Sequence, residues 1–205
     1  ATGSIGKPLQ MDPVRKGIDL LVPALKDAGG NEAAEAMMTT DTRPKACTTT
    51  FEIGGTSITL AGICKGAGMI EPNMATMLAY ACTDAKISAE HLRLALKTAV
   101  DESFNKISID GDTSTNDTVV VLANGRSGVE LTPEKEGWGI FCTALRGVMF
   151  DLAMKIVWDG EGMTKFIELR AKGAASDDEA DTALRAVANS FLVKTGWAGN
   201  YPAWT

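Results

Sequence analysis

Histidine and cysteine are scarce in this chain: His91 stands alone, and Cys47, Cys64, Cys82 and Cys142 are the only thiols in 205 residues. The cysteines form no CxxC pair, and one isolated histidine does not complete a zinc site, so the sequence offers no metal ligand set. The same scarcity argues against a Ser-His-Asp triad, since no serine occupies a Gly-x-Ser-x-Gly elbow. The thiols read as reduced core residues and His91 as a surface residue. No apolar run approaches the roughly 20 residues of a membrane span, and the N-terminus lacks the charged, apolar and small-residue order of a signal peptide. A cytoplasmic protein is expected, or a mitochondrial-matrix one in a eukaryote. Nor is there a basic stripe. With 26 acidic and 20 basic residues the net charge is −6, which gives nucleic acid or an anionic membrane nothing to hold. Small-molecule chemistry is the class that remains.

An apolar content of 45% suffices for one packed domain or two small ones. Residues 14–28 carry Ile18, Leu21 and Leu25 at helical spacing before a Gly29-Gly30 stop. Residues 48–51 and 56–64 are β-branched and alternate around Gly54-Gly55, which predicts a hairpin. Ser88 is a good N-cap for a helix over 90–104, with His91 in its first turn. Residues 118–123 form a short apolar run that reads as a buried strand. A long amphipathic helix is predicted over 143–158, a strand over 165–173, and a Ser176-capped helix over 177–189. The fold class is therefore α/β (α+β), with helices packed on mixed β-sheets.

Chemistry-bearing residues concentrate in Lys65-Gly66-Ala67-Gly68-Met69-Ile70-Glu71-Pro72-Asn73-Met74-Ala75-Thr76-Met77-Leu78, between a predicted strand and an apolar run. Its glycines and proline imply a constrained backbone. Taken by itself, Thr76 reads as a helix cap or a core threonine. The two glycines do not make a phosphate loop, because the lysine precedes them and no Gly-Lys-Ser/Thr ending follows. Taken by themselves, Lys65 reads as a surface residue of a turn and Glu161 as a solvated turn residue.

The segment 65–78 nevertheless resembles the self-cleavage motif of the ornithine acetyltransferase (glutamate N-acetyltransferase, ArgJ) family of arginine biosynthesis. Further segments agree in order: Ala1-Thr2-Gly3-Ser4-Ile5-Gly6, Met38-Thr39-Thr40-Asp41-Thr42, Asp110-Gly111-Asp112-Thr113-Ser114-Thr115-Asn116-Asp117-Thr118, Asp159-Gly160-Glu161-Gly162, and Asn189-Ser190 with Leu192-Val193-Lys194-Thr195. The resemblance implies an ArgJ/DmpA-like architecture. It also implies breakage of the Ala75–Thr76 bond, with Thr76 the nucleophile. The freed α-amine of Thr76, with a reference pKa of about 7.7–8.0, would serve as base to its own hydroxyl, so no histidine is required.

By the same resemblance Thr2 and Gly3 form the oxyanion hole, and Thr39, Lys65, Thr76 and Glu161 meet the substrate. Acetyl passes from N-acetylornithine to glutamate through an acetyl-threonine intermediate. No cofactor is implied, with acetyl-coenzyme A left open as a second acetyl donor. Association of the two cleavage fragments, and of those pairs into a higher homo-oligomer, is also implied. The loop 110–118 is assigned a structural role only. Family members are longer than this chain, so the resemblance implies an incomplete family domain: a catalytic core over 1–158 with its cleavage site at 75/76, and the start of a second, truncated domain over 159–205. Two alternatives stay open at this point. One is a self-processing amidohydrolase or aminopeptidase of related fold, and the other an inactive remnant that only binds.

Overall fold

The computed structural model describes residues 3, 6–26, 28–71 and 77–201. Four strands, β1 (Lys45–Ile53), β2 (Thr56–Lys65), β3 (Leu78–Thr83) and β4 (Thr118–Ala123), form one sheet in the order β1-β2-β3-β4. The first two pairings are antiparallel and β3 with β4 is parallel. The hairpin falls where the glycines predict it. Gly54 and Gly55 both take positive φ, 58° and 79°, as a two-residue turn between right-twisted strands requires.

Helix α1 (Met11–Leu21) precedes the sheet, and Pro23 explains why it stops short of the predicted 14–28: residues Val22–Ala24 tighten into a 3-10 turn. A short α2 (Gly30–Ala36) follows and buries Ala34. Beyond β3, α3 (Ala89–Asp101) starts at the predicted Ser88, whose hydroxyl accepts the N–H of His91. Helix α4 (Gly137–Val157) begins well before the predicted 143, because Gly137 and Gly139 mask a first turn that is set by packing. Helix α5 (Asp177–Ala188) has the predicted Ser176 cap, and α6 (Phe191–Ala198), capped by Ser190, was not foreseen.

Alternation in the strands assigns the faces. Ile58, Leu60, Cys64, Ala79, Ala81 and Val121 point inward against Phe141, Leu145, Val148, Met149, Leu152 and Ile156 of α4. This is the core, and α3 packs beside α4. His91 is not simply a surface residue. It is half-buried, with its ring edge-on to Trp138 of α4 at a centroid distance of 6.0 Å. Of the four free thiols only Cys64 is fully buried, and burial pushes it up to about 12; Cys47 and Cys142 are half-buried, and Cys82 is exposed on the outer sheet face. The predicted strand over 165–173 is absent: the segment is extended and largely exposed, with no ladder partner among the described residues. β-branched and aromatic composition makes a strand only where an edge is offered to it.

Candidate active site

Strand β2 delivers Lys65 at its last position, beside the edge of the core. The side chain is 4% exposed, and its ammonium reaches only the Thr39 hydroxyl among the described residues, over a long 3.5 Å. Among the described residues this buried ammonium has one weak acceptor, an arrangement that favours an incoming anion. The Asp117 carboxylate lies within its field.

Past Lys65 the chain crosses in front of Glu161. The N–H of Glu161 donates to Ala67 O at 2.7 Å. Its carboxylate lies directly on Gly68, where a Cβ would come within 2.6 Å of Glu161 Cδ. Only glycine leaves room for that carboxylate. The structure thus brings Thr39, Lys65 and Glu161 onto one short stretch, 65–68, with a buried cation at one end and an exposed carboxylate at the other. Glu161 also lines a cavity of about 670 Å³ with Glu71, Ile109, Phe150, Arg185 and Lys194, a size suited to a small ligand. Thr39 and Lys65 lie outside that cavity.

The loop 110–118 holds the chain on both sides of residues 72–76. Before them, the Asp110 carboxylate accepts Met69 N–H at 2.5 Å and Ile70 N–H at 2.8 Å. Met69 sits at φ 56°, a left-handed conformation that costs a non-glycine residue energy and is held by these bonds. After them, Asp117 Oδ1 accepts Met77 N–H at 2.9 Å, and Thr118 N–H donates to Met77 O at 3.1 Å. Burial raises Asp117 to about 6, against the lowering by the Met77 N–H and the Lys65 charge, and its Oδ2 is buried without a hydrogen-bond partner among the described residues. The structural role assigned to this loop therefore has a specific object: it fixes the two ends from which 72–76 depart.

A second tie comes from the C-terminal helices. Glu71 Oε1 accepts from Arg185 Nη1 at 3.2 Å and from Asn189 Nδ2 at 2.6 Å, and Lys194 Nζ donates to Ile109 O at 3.0 Å. Burial holds Lys194 below its ordinary value, against the pull of Glu71 and Asp110.

Of the remaining predicted residues, Thr2, Ala75 and Thr76 lie outside the described residues. Gly3 is exposed, next to Leu9, and no hydrogen bond among the described residues joins it to Lys65 or Glu161. No group of three His, Cys, Asp or Glu side chains among the described residues is arranged to hold a metal ion. Sequence reasoning missed the buried cluster of Asp41, Lys45 and Asp159. Asp41 and Asp159 lay inside quoted motifs, but nothing in the sequence pairs them with Lys45, more than a hundred residues from Asp159.

A model of the ArgJ family matches residues 1–205, the whole chain. The chain belongs to the ArgJ family. It is 51% identical over 205 residues to the arginine biosynthesis bifunctional protein ArgJ of Symbiobacterium thermophilum, covering 100% of this chain and 51% of that protein. It is 50% identical over 205 residues to the ArgJ of Geobacter sulfurreducens, of which it covers 52%, and 47% identical over 207 residues to a glutamate N-acetyltransferase of Methanocaldococcus jannaschii, of which it covers 51%. The chain thus spans about half the length of these ArgJ-family relatives. Among solved structures, the crystal structure of the ArgJ of Bacillus halodurans superposes with a TM-score of 0.55 at 47% identity, over 59% of this chain and 57% of that one. The mixed α/β class expected from the sequence is the fold observed, and it is shared with that ArgJ structure.

Proposed function

We propose that this chain carries the core of a self-processing N-acetyltransferase that moves acetyl from N-acetylornithine to glutamate. The observation that carries the reading is the buried Lys65 ammonium beside the Thr39 hydroxyl, with the Glu161 carboxylate seated on Gly68. Both substrates are amino acids or their acyl derivatives, with a carboxylate to meet Lys65, and ornithine adds an ammonium to meet Glu161. The names of the relatives, arginine biosynthesis bifunctional protein and glutamate N-acetyltransferase, agree with that substrate class.

In this reading the Thr76 hydroxyl attacks the Ala75 carbonyl, the ester hydrolyses, and the new α-amine of Thr76 becomes the base for its own hydroxyl. Thr76 then attacks the acetyl carbonyl of N-acetylornithine, ornithine leaves with a proton on its amine, and the α-amine of glutamate attacks the acetyl-threonine ester to regenerate the hydroxyl. Thr2 and Gly3 supply the oxyanion donors, each such donor contributing about 3–4 kcal/mol to barrier lowering. Asp110 and Asp117 anchor the residues flanking the cleaved segment. The cycle needs no cofactor, and acetyl-coenzyme A is a further donor to be assayed beside N-acetylornithine. The two cleavage fragments stay associated, pair again into a larger homo-oligomer, and work in the cytoplasm.

The intact mass of the denatured protein tests the first step, and transfer of labelled acetyl from N-acetylornithine to glutamate tests the second. Thr76→Ala is expected to abolish both, and Thr76→Ser to retain part of each. Cleavage between residues 75 and 76 in Thr76→Ala protein would refute the nucleophile assignment. Release of free acetate with no acetylglutamate would favour the hydrolase alternative.

A further inference from the structure

Lys45 is among the most deeply buried large side chains described, 1% exposed, although it is charged. Its ammonium donates to Asp41 Oδ1 at 2.5 Å and to Asp159 Oδ2 at 2.6 Å. Arg43, itself mostly exposed, approaches Asp159 Oδ1 at 3.8 Å from the solvent side. The acetyl-transfer cycle uses none of these groups. Stability is a poor reason for them, because buried ion clusters are often replaced by apolar residues of similar volume at no loss.

The cluster does reach the segments that bear Thr39, Lys65 and Glu161. Asp41 Oδ2 accepts the N–H of Thr39 itself at 3.1 Å. Asp41 Oδ1 also accepts Gly66 N–H at 2.7 Å, the peptide directly after Lys65. Asp159 accepts Thr42 N–H at 2.9 Å together with the Thr42 hydroxyl, and it stands two residues before Glu161. Three segments far apart in sequence, 39–45, 65–68 and 159–161, thus meet on one ammonium. The β1–β2 ladder brings Lys45 opposite Cys64, and one backbone bond ties Glu161 N–H to Ala67 O. The ammonium adds a charged tie between the Asp41 and Asp159 carboxylates, which would repel one another without it and so strain the spacing that those backbone bonds set.

The geometry points to Lys45 as a positioning residue for the amino-acid substrate: its ammonium holds Thr39, Lys65 and Glu161 at the spacing the substrate requires, without touching the substrate. This rests on the acetyl-transfer reading for the identity of the substrate, not for the geometry. The consequence is specific. Ground-state binding should depend on Lys45, whereas cleavage at 75/76 should not, because residues 69–70 and 77 are held by Asp110 and Asp117 instead.

The experiment uses the gene product that carries this sequence, with Lys45→Met, Lys45→Arg and Thr42→Val variants. Steady-state kinetics for N-acetylornithine and glutamate are measured beside intact mass. Lys45→Met keeps the side-chain volume and removes the charge. It is expected to raise both KM values on the order of tenfold or more with kcat little changed, and to cleave normally. Lys45→Arg should recover part of the KM, as a merely space-filling role would not require. Folded, cleaved Lys45→Met protein with wild-type KM values would overturn the proposal. If Lys45→Met does not fold, Thr42→Val decides, since it removes one hydrogen bond to Asp159 from an exposed side chain: a severalfold rise in KM supports the proposal and an unchanged KM in folded, cleaved Thr42→Val protein overturns it. Should the wild-type protein transfer no acetyl, the functional reading fails by itself, and calorimetric binding of L-ornithine to the same variants takes the place of KM with the same two outcomes.

Discussion

The helix-covered sheet and the segments flanking it differ in kind. Between residues 45 and 160, β2, β3, β4 and both long helices contribute to one buried cluster, and β1 packs the partly buried Cys47, Phe51 and Ile53 against it. In α1, α5 and α6 no residue is buried, although all three are regular helices with apolar positions. Regularity in the flanks is therefore a local matter of caps and turns: Ser176 and Ser190 each accept an N–H in the first turn of their helices. In the core, tertiary packing sets the start of α4, while local turns and caps still set the β1–β2 hairpin and the start of α3. The candidate site lies along the boundary, where Lys65 and Asp41 belong to the core while Glu71 is reached by Arg185 and Asn189 from the flank.

The sharpest way to break that comparison is to open a cavity in the core. Leu152, 0% exposed, is packed in the cluster that joins α4 to the sheet. Leu152→Ala is expected to destabilise the protein by about 2–5 kcal/mol, read from denaturant unfolding. A loss under about 1 kcal/mol would mean that α4 is not the main cover of the sheet.

Aspartates separate the two halves of the site in a second way. Asp41 and Asp159 are raised by burial, but hydrogen bonds from Gly66, Lys45 and Thr42 and the Lys45 charge hold both below the ordinary carboxylate value. Their contribution to stability is present above the unfolded pKa and is lost only as pH falls through the lower, folded value. Asp117 runs the other way. Burial lifts it from 3.8 to about 6, so the folded state holds its proton more tightly than the unfolded chain does. Its contribution is fully present below the unfolded value and is lost as pH rises through about 6. Asp117→Asn is therefore expected to flatten the decline in Tm between the unfolded carboxylate range, near 3.8, and about 6, while leaving acid unfolding below that range unchanged. An unaltered pH profile in Asp117→Asn protein would place the Asp117 carboxylate in water.

Much of this was legible in the sequence because it is local. The Gly54-Gly55 hairpin, the Ser88 and Ser176 caps and a strand over 118–123 each follow from a few adjacent residues, and each is found, but β4 is not the buried strand expected: it ends the sheet order, with Val121 buried and Leu122 exposed. The motif strings also led to Thr39, Lys65 and Glu161, which the fold does bring near one another. What was not legible depends on partners remote in sequence. The start of α4 at Gly137 is fixed by close packing of Gly137 on Ile53 and Leu131, against the low helix propensity of glycine. The segment 165–173 has the composition of a strand and no edge to join among the described residues. Lys45 looked like an ordinary strand-end lysine until the fold set Asp41 and Asp159 against it.

The smallest effect is expected where the flanks are most exposed. Leu192 in α6 is 82% exposed, and a side chain so placed has little apolar surface to lose on truncation. Leu192→Ala should change stability by no more than about 0.5 kcal/mol, against the several-fold larger cost at Leu152. The control is the helix itself: alanine is the slightly better helix former, so the backbone gain offsets a little of any loss and cannot create one. A measured cost of about 2 kcal/mol would show that Leu192 is covered in solution by surface beyond the described residues, since only burial of the whole side chain yields that figure. The same substitution made in the gene product and in the isolated chain then locates the cover. A cost in the first and none in the second assigns it to sequence outside these residues, and an equal cost in both, falling on dilution, assigns it to a second copy of the chain.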